Sequence, residues 1–191
     1  MSITLRSVAG GCVLALLLGA TGCDAGPAAT APPGAPSSPA PGGSGSFGGT
    51  DLAWIEITIA MDEELLPLLE LAPTHASDAG LRALAAEVRA GHEQELDVLR
   101  RLHDQAGLPA ENPHKGMPMP GMVTPEQVTA AAAAKGAAFD TLLTGHLRAH
   151  LEQGVKLALS EQKAGVEPQT KALANQVIAG RGRLLGDLSR D

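Results

Sequence analysis

Cysteine is almost absent from this sequence of 191 residues, which contains only Cys12 and Cys23. Both lie near the N-terminus, before the part of the chain that could form a folded domain. Disulfide bonds within that domain are therefore excluded, although proteins of oxidising compartments commonly contain them. Cysteine ligands for a metal ion are excluded there as well. The domain must be stabilised by burial of apolar side chains alone.

Aromatic residues are also scarce, with no tyrosine, one tryptophan and two phenylalanines. The core must consist mainly of Leu, Val, Ile and Ala. No segment alternates between apolar and polar residues, as a half-buried strand would, and every strong periodicity is helical. These absences predict an all-α fold.

Sequence signals of several common functions are missing. The net charge is −7, and an acidic chain is a poor partner for nucleic acid or anionic lipid. The sequence contains no glycine-rich phosphate loop, no nucleophile elbow and no Cys/His catalytic pair. We therefore expect a protein that is not an enzyme and binds no nucleic acid. A metal-dependent hydrolase or oxidase ranks last among the hypotheses.

The first 22 residues have the pattern of a bacterial lipoprotein export signal. Arg6 precedes an apolar run over residues 13–18, and small residues at 19–22 lead to Cys23. The apolar run is shorter than the roughly 20 residues that a permanent membrane-spanning helix needs. We predict that residues 1–22 are a signal peptide and that Cys23 carries a lipid, which anchors the exported protein to the extracytoplasmic face of the cell membrane. The alternative is an ordinary secretory signal that is cleaved nearby.

Residues 23–50 are dominated by proline, glycine, serine and alanine, the composition of a disordered linker. The following residues, 51–191, have the length of one compact domain. Helical periodicity and end signals predict four long helices in this domain. Their approximate bounds are 52–72, 78–106, 137–164 and 168–188. A capping box at Thr124, followed by Pro125, predicts an additional short helix.

An internal repeat divides the domain into two halves. Residues 84–92 match residues 173–181 in their Leu-Ala, Val and Ala-Gly positions, and each copy follows a helix that ends in Leu-Ala. The domain is therefore interpreted as two helical hairpins joined by a Met/Pro-rich crossover loop, residues 107–123. Two such hairpins predict an antiparallel four-helix bundle.

Polar residues interrupt the apolar stripes of the predicted helices. His92 lies on the stripe of the second helix, and His146 and His150 share one face of the third long helix at a spacing of four residues. That spacing suits two ligands of one metal ion, as in zinc-binding helices. Glu64, or its neighbour Glu63, is the candidate carboxylate on the first helix. Imidazole and carboxylate together suit zinc, copper(II), iron or manganese.

The same residues allow a purely structural interpretation. Arg181 lies on the stripe of the last helix and would repel a cation. In this alternative Glu64 pairs with Arg181, and the histidines hydrogen-bond one another or lie near the surface. Burial of such groups is tolerable when they are paired.

The crossover loop contains a second candidate site. His114, Met117, Met119 and Met122 lie within nine residues and form a soft ligand set that favours copper(I). Alternatively, the methionines fill an irregular gap by packing the loop across the bundle.

Three features carry a family resemblance: the loop from His114 through residues 119–124, Phe139-Asp140 ahead of His150, and the duplicated Leu-Ala…Val segments. In these features the chain resembles the exported bacterial proteins of domain of unknown function 305, which include CopM-type copper-binding proteins. The resemblance covers about residues 51–190 and implies a ferritin-like four-helix bundle and export. The histidine pair usual in the first helix of each hairpin is reduced here to His150 in the second hairpin and is missing from the first.

These patterns favour a lipid-anchored helical bundle outside the cytoplasm that binds a transition metal, copper first, for storage, buffering or delivery. The alternative is a structural or protein-binding module of the cell envelope, whose inward polar residues only fix the bundle. The membrane is the one partner that the sequence indicates, and no protein partner can be identified from it.

Overall fold

A computed structural model of the protein describes residues 46–190. The helices in this range are α1 Gly49–His75, α2 Ala79–Ala106, α3 Pro125–Ala132, α4 Ala137–Ala164 and α5 Pro168–Asp187. These residues form no strand, so the predicted all-α fold is confirmed. Within the same range, no helix combines the length and the apolar composition needed to cross a membrane. The predicted signal peptide, Cys23 and most of the predicted linker lie outside the described residues.

The long helices form two hairpins, α1 with α2 and α4 with α5. Because α1 also contacts α4, and α2 also contacts α5, the four helices enclose one core. The short α3 follows the crossover loop and packs against α1 and α4. This arrangement is the predicted bundle of two helical hairpins.

The helices begin and end at local sequence signals. The Asp78 carboxylate accepts a hydrogen bond from the backbone N–H of Leu81 at 2.6 Å and caps α2. Gly107 follows the same helix in the left-handed conformation, with φ of 66°. Thr124 and Gln127 form the predicted capping box at the start of α3.

The two hairpins repeat one contact at opposite ends of the bundle. Asp51 in the first turn of α1 accepts a hydrogen bond from Val166 N, in the turn between α4 and α5, at 3.0 Å. Asp140 in the first turn of α4 accepts one from Ser77 N, in the turn between α1 and α2, also at 3.0 Å. Asp51 and Asp140 have the same separation along the chain as Ser77 and Val166. The internal repeat therefore extends over both helices of each hairpin.

Two apolar clusters fill the bundle, and every long helix contributes to both. Residues that flank the boundary between the clusters are Ile59 and Leu65 of α1, Val88 and Leu96 of α2, Leu151 and Ala158 of α4, and Val177 and Leu184 of α5. Buried polar side chains lie at or beside this boundary, next to a small third apolar cluster of Ala60, Met61 and Met122.

Candidate metal centre

One polar side chain from each long helix lies at the boundary between the apolar clusters. Asp62 of α1, His92 of α2, His150 of α4 and Arg181 of α5 are buried, with 0–2% of each residue exposed. We call these four residues the polar layer. Because they occupy positions where a bundle normally holds apolar side chains, they require partners.

Three members of the polar layer converge on one point. The Nε2 atoms of His92 and His150 lie 2.8 Å apart. Asp62 Oδ1 lies 3.4 Å from His92 Nε2 and 3.3 Å from His150 Nε2. In a tetrahedral site with zinc-like bond lengths, two ligand atoms are roughly 3.3 Å apart. The Asp62 distances already fit such a site, and the two imidazoles would separate by roughly 0.5 Å to hold an ion.

Backbone carbonyl groups determine the tautomers of both imidazoles. His92 Nδ1 lies 2.9 Å from Val88 O, and His150 Nδ1 lies 3.2 Å from Gly121 O. A carbonyl oxygen only accepts hydrogen bonds, so each Nδ1 carries the hydrogen and donates it. Each Nε2 of a neutral ring therefore presents its lone pair to the centre of the layer. Metal-binding histidines are oriented in this way, by a partner on the outer nitrogen.

Two lone pairs that face each other at 2.8 Å repel unless a cation lies between or beside them. A proton is disfavoured at neutral pH, because burial lowers the pKa of His92 to about 3 although the Asp62 carboxylate opposes this shift. Burial also lowers the pKa of His150. The layer therefore favours two neutral imidazoles, which is the form that coordinates metal ions.

Arg181 occupies another side of Asp62. Its Nη2 lies 2.8 Å from Asp62 Oδ1 and 2.9 Å from Glu95 Oε1. The guanidinium fits because Gly154 of α4 has no side chain, and a Cβ there would overlap Arg181 Nη1. Asp62 Oδ2 has no hydrogen-bond partner among residues 46–190. The oxygen that faces the two imidazoles, Oδ1, is therefore the one that Arg181 already contacts.

The charges of the polar layer nearly balance. Burial raises the pKa of Asp62, but the neighbouring groups, above all the guanidinium of Arg181, bring it below its usual value, so this carboxylate is ionised. Glu95 behaves in the opposite way, because burial and the Asp62 charge raise its pKa to about 8 against the influence of Arg181. At neutral pH Asp62 and Arg181 form the charged pair, and Glu95 gives the guanidinium a second carboxyl partner.

A groove between α2 and α5 leads from solvent to the polar layer. Its volume is about 490 Å³, and its lining includes His92, Glu95 and Arg181 together with Gly91 and Gly180. A buried metal site needs such a path for the ion. The groove provides it on the side of the layer that Arg181 occupies.

The structure places Asp62, and not the predicted Glu64, in the layer. The Glu64 carboxylate is half-buried on another side of α1 and accepts a hydrogen bond from the backbone N–H of Gly116. Two residues along a helix rotate the side chain by about 200°, so Asp62 and Glu64 cannot both face the layer. Glu63, the predicted substitute, forms an ion pair at the surface. Arg181 lies in the layer as predicted, but its partner there is Asp62.

The three predicted histidines do not form one cluster. His92 and His150 lie together, whereas His146 is half-buried and lies outside the group of residues that could hold an ion. Although two histidines four residues apart on a helix can share one ion, the residues that converge here are Asp62, His92 and His150. Asp62 thus takes the place that the sequence predicted for His146.

The predicted thioether site in the crossover loop is divided. Met119 and Met122 pack on Met61 of α1, whereas 43% of Met117 is exposed. His114 is half-buried. Two of the three loop methionines therefore pack against the bundle, where they contact Met61.

The sequence pattern did not indicate Asp62. One signal leads to within one residue of it, because His92 and Arg181 are equivalent residues of the internal repeat and define its register. At the same separation along the chain, the equivalent of His150 is Met61, the neighbour of Asp62. The Leu-Ala pairs at residues 71–72 and 157–158 align the two hairpins in a different register. In that register the equivalent of His150 is Glu64.

The chain is similar to one group of helical proteins in both sequence and structure. The profile of a family described as a domain of unknown function (DUF305) matches residues 51–188. The crystal structure of a DUF305 fragment from Deinococcus radiodurans aligns with a TM-score of 0.66 and 14% identity, over 76% of this chain and 99% of that chain. A candidate secreted DUF305 protein from Streptomyces coelicolor aligns with a TM-score of 0.64 and 17% identity, over 73% and 89% of the two chains. No curated protein sequence matches significantly.

Proposed function

The chain belongs to the family of domain of unknown function 305 (DUF305), and we propose that it binds one transition metal ion through Asp62, His92 and His150. One observation carries the proposal. Two imidazole Nε2 atoms lie 2.8 Å apart while both Nδ1 atoms donate to carbonyl oxygens. A purely structural layer would set a donor against an acceptor, whereas this one sets two acceptors face to face. A metal ion relieves that repulsion.

Copper is the metal that we propose first. Two imidazole nitrogens and a carboxylate oxygen suit zinc, copper(II), iron and manganese, and the general order of affinities places copper(II) highest among their divalent ions. Three protein ligands also leave one coordination position open for exchange with water or with a ligand from another carrier.

Storage, buffering or delivery of the ion fits this layer better than catalysis does. The four members of the layer provide imidazole, carboxylate and guanidinium groups, but no hydroxyl or thiol nucleophile. We also propose that the protein is exported and anchored to the membrane by a lipid on Cys23. The export signal of the sequence supports this location, as does the description of the Streptomyces neighbour as a candidate secreted protein.

Metal titration of the purified, metal-free protein tests the proposal. We expect one copper(II) ion to bind per chain, and we expect His92→Ala and His150→Ala to weaken this binding by about 100-fold or more. His146→Ala is the matched control, because His146 lies one turn from His150 on the same helix but outside the layer. It should bind copper(II) as the wild type does. No binding by the wild type, or an equal loss in all three variants, would contradict the proposal.

The second candidate function is a structural or protein-binding module of the cell envelope. The bond of 2.8 Å between Asp62 and Arg181 favours it, because this ion pair already compensates the buried carboxylate. Buried ion pairs of this kind can fix how helices align. If this function is correct, changes at His92 and His150 lower thermal stability and leave the metal content of the protein unchanged.

A further inference from the structure

The metal site and Arg181 depend on the same carboxylate oxygen. Asp62 Oδ1 lies 3.4 Å from His92 Nε2 and 3.3 Å from His150 Nε2, and it also accepts a hydrogen bond from Arg181 Nη2 at 2.8 Å. An ion held by the two imidazoles and the guanidinium therefore compete for one atom. They also repel each other, because a guanidinium remains charged at any working pH.

Arg181 has a second carboxyl group within reach. Its Nη2 lies 2.9 Å from Glu95 Oε1, so the guanidinium keeps a partner when it leaves Asp62. Glu95 and Arg181 both line the groove of about 490 Å³ between α2 and α5, where Gly91 and Gly180 contribute no side chains. The groove gives the long arginine side chain room to move while the helices stay in place.

The internal repeat places the ligand and its competitor at equivalent positions. Arg181 occupies in the second hairpin the position that His92 occupies in the first. Both side chains reach Asp62, one through an imidazole nitrogen and the other through a guanidinium. One hairpin therefore contributes an electron pair to the site, and the other contributes a positive charge.

We propose that Arg181 is an internal cation that occupies Asp62 in the metal-free protein and is displaced toward Glu95 by the incoming ion. This inference rests on the proposed metal site and adds its regulation. The energy spent on displacing Arg181 lowers the affinity of the site. An ion held against such a competitor is released readily, as buffering or delivery requires.

The Arg181→Met variant tests the inference, because it removes the charge and keeps most of the apolar stem. Titrations of the metal-free full chain should show that its copper(II) affinity is about tenfold or more above that of the wild type. Arg183→Met is the matched control. Arg183 lines the same groove but pairs with Glu87, so this variant should bind copper(II) as the wild type does.

Arg181→Met leaves the Asp62 charge without a partner in the metal-free protein and could prevent folding. Circular dichroism checks its helix content, and Arg181→Lys is a second variant that keeps a charge but contacts Asp62 through a single ammonium group. Its affinity should rise less, by about threefold. An unchanged affinity in a folded Arg181 variant overturns the competitor role and leaves the metal site standing, because His92→Ala tests that site separately. If neither the wild type nor the variants bind copper(II), both proposals are wrong.

Discussion

At the scale of single residues, two glycines control which groups reach the polar layer. Gly121 has φ of 78°, and a Cβ on it would lie only 2.7 Å from Ala149 O of α4. This close approach brings the Gly121 carbonyl within hydrogen-bonding distance of His150. Gly154 leaves the space on α4 that the guanidinium of Arg181 fills. Neither position accepts a larger residue without moving a member of the layer or its partner.

Substitution of Gly121 tests how the loop supports the site. In Gly121→Ala the new Cβ pushes the loop away from α4, so His150 Nδ1 loses its carbonyl partner. We expect copper(II) affinity to fall by about tenfold, as it does when an outer partner of a metal ligand is lost. Gly116→Ala is the matched control, since Gly116 also has a positive φ of 73° but open space around its Cβ position.

Both alanine variants carry the backbone strain of the left-handed conformation, roughly 1–2 kcal/mol. Titration calorimetry with copper(II), together with chemical denaturation, separates this strain from the effect on His150. Equal affinities of the two variants would show that the Gly121 carbonyl does not position the imidazole.

A second substitution tests the space that Arg181 requires. The Cβ of Gly154→Ala would overlap the guanidinium and break its bond to Asp62, leaving a buried charge without a partner. We expect the free energy of unfolding to fall by about 3–5 kcal/mol. Gly145→Ala, on the same helix and with open space around its Cβ position, should instead stabilise the protein by roughly 0.5–1 kcal/mol. Urea denaturation of the metal-free variants measures both changes, and similar values would contradict the role of Gly154.

At the scale of helices, the bounds of α2, α4 and α5 could be predicted to within one residue because their ends carry local signals, whereas α1 extends three residues beyond each end of the predicted helix 52–72. The predicted helix 137–164 is α4, Ala137–Ala164. The stripe of α2 could also be predicted, because α2 is polar on its remaining sides and one apolar face stands out. Every residue of that predicted stripe is buried: Leu81, Leu84, Val88, His92, Leu96 and Leu99.

The buried face of α1 could not be predicted in the same way. Apolar residues occur on several sides of this helix, for example Ile55, Ile57 and Met61, so periodicity does not select one face. The face is selected by tertiary packing, since α2, α3 and α4 all contact α1. These contacts lie outside the reach of local patterns, and they turn Asp62 inward in place of Glu64. The bond between Gly121 and His150 joins a loop to a distant helix and is equally invisible in the sequence.

The contact between the end of α4 and the start of α1 predicts a pH dependence. Glu161 is buried near Asp51, and burial together with the Asp51 carboxylate raises the pKa of Glu161 to about 8 from 4.5. The folded protein therefore holds a proton that the unfolded chain has released. The contribution of protonated Glu161 to the free energy of unfolding is complete below about pH 4.5 and is lost as the pH rises through about 8.

The Glu161→Gln variant removes this titration. Its free energy of unfolding should improve relative to that of the wild type as the pH rises from about 5 to about 9. Glu152→Gln is the matched control, because Glu152 is an exposed residue of the same helix. Denaturant titrations across this range measure the differences, and a pH-independent difference for Glu161→Gln would contradict the predicted shift.

At the scale of the whole molecule, the protein joins a helical domain to a predicted export and anchoring segment. The family match spans residues 51–188, so the anchor remains a prediction from residues 1–23. We predict that Cys23→Ala moves the protein from the membrane fraction to the soluble extracytoplasmic fraction, because the lipid supplies the apolar anchor. Cys12→Ala is the control, since Cys12 lies within the predicted signal peptide. Detergent phase partitioning measures the change, and a Cys23→Ala protein that stays in the membrane would contradict the prediction.

Anomalous diffraction at the copper edge, from crystals loaded with one equivalent of copper(II), tests the proposed metal site most directly. We predict one strong peak at roughly 2.0–2.2 Å from His92 Nε2, His150 Nε2 and an Asp62 oxygen, with Arg181 turned away from that carboxylate. A peak at His146 or at the methionines of the crossover loop, or no peak inside the bundle, would contradict the proposal.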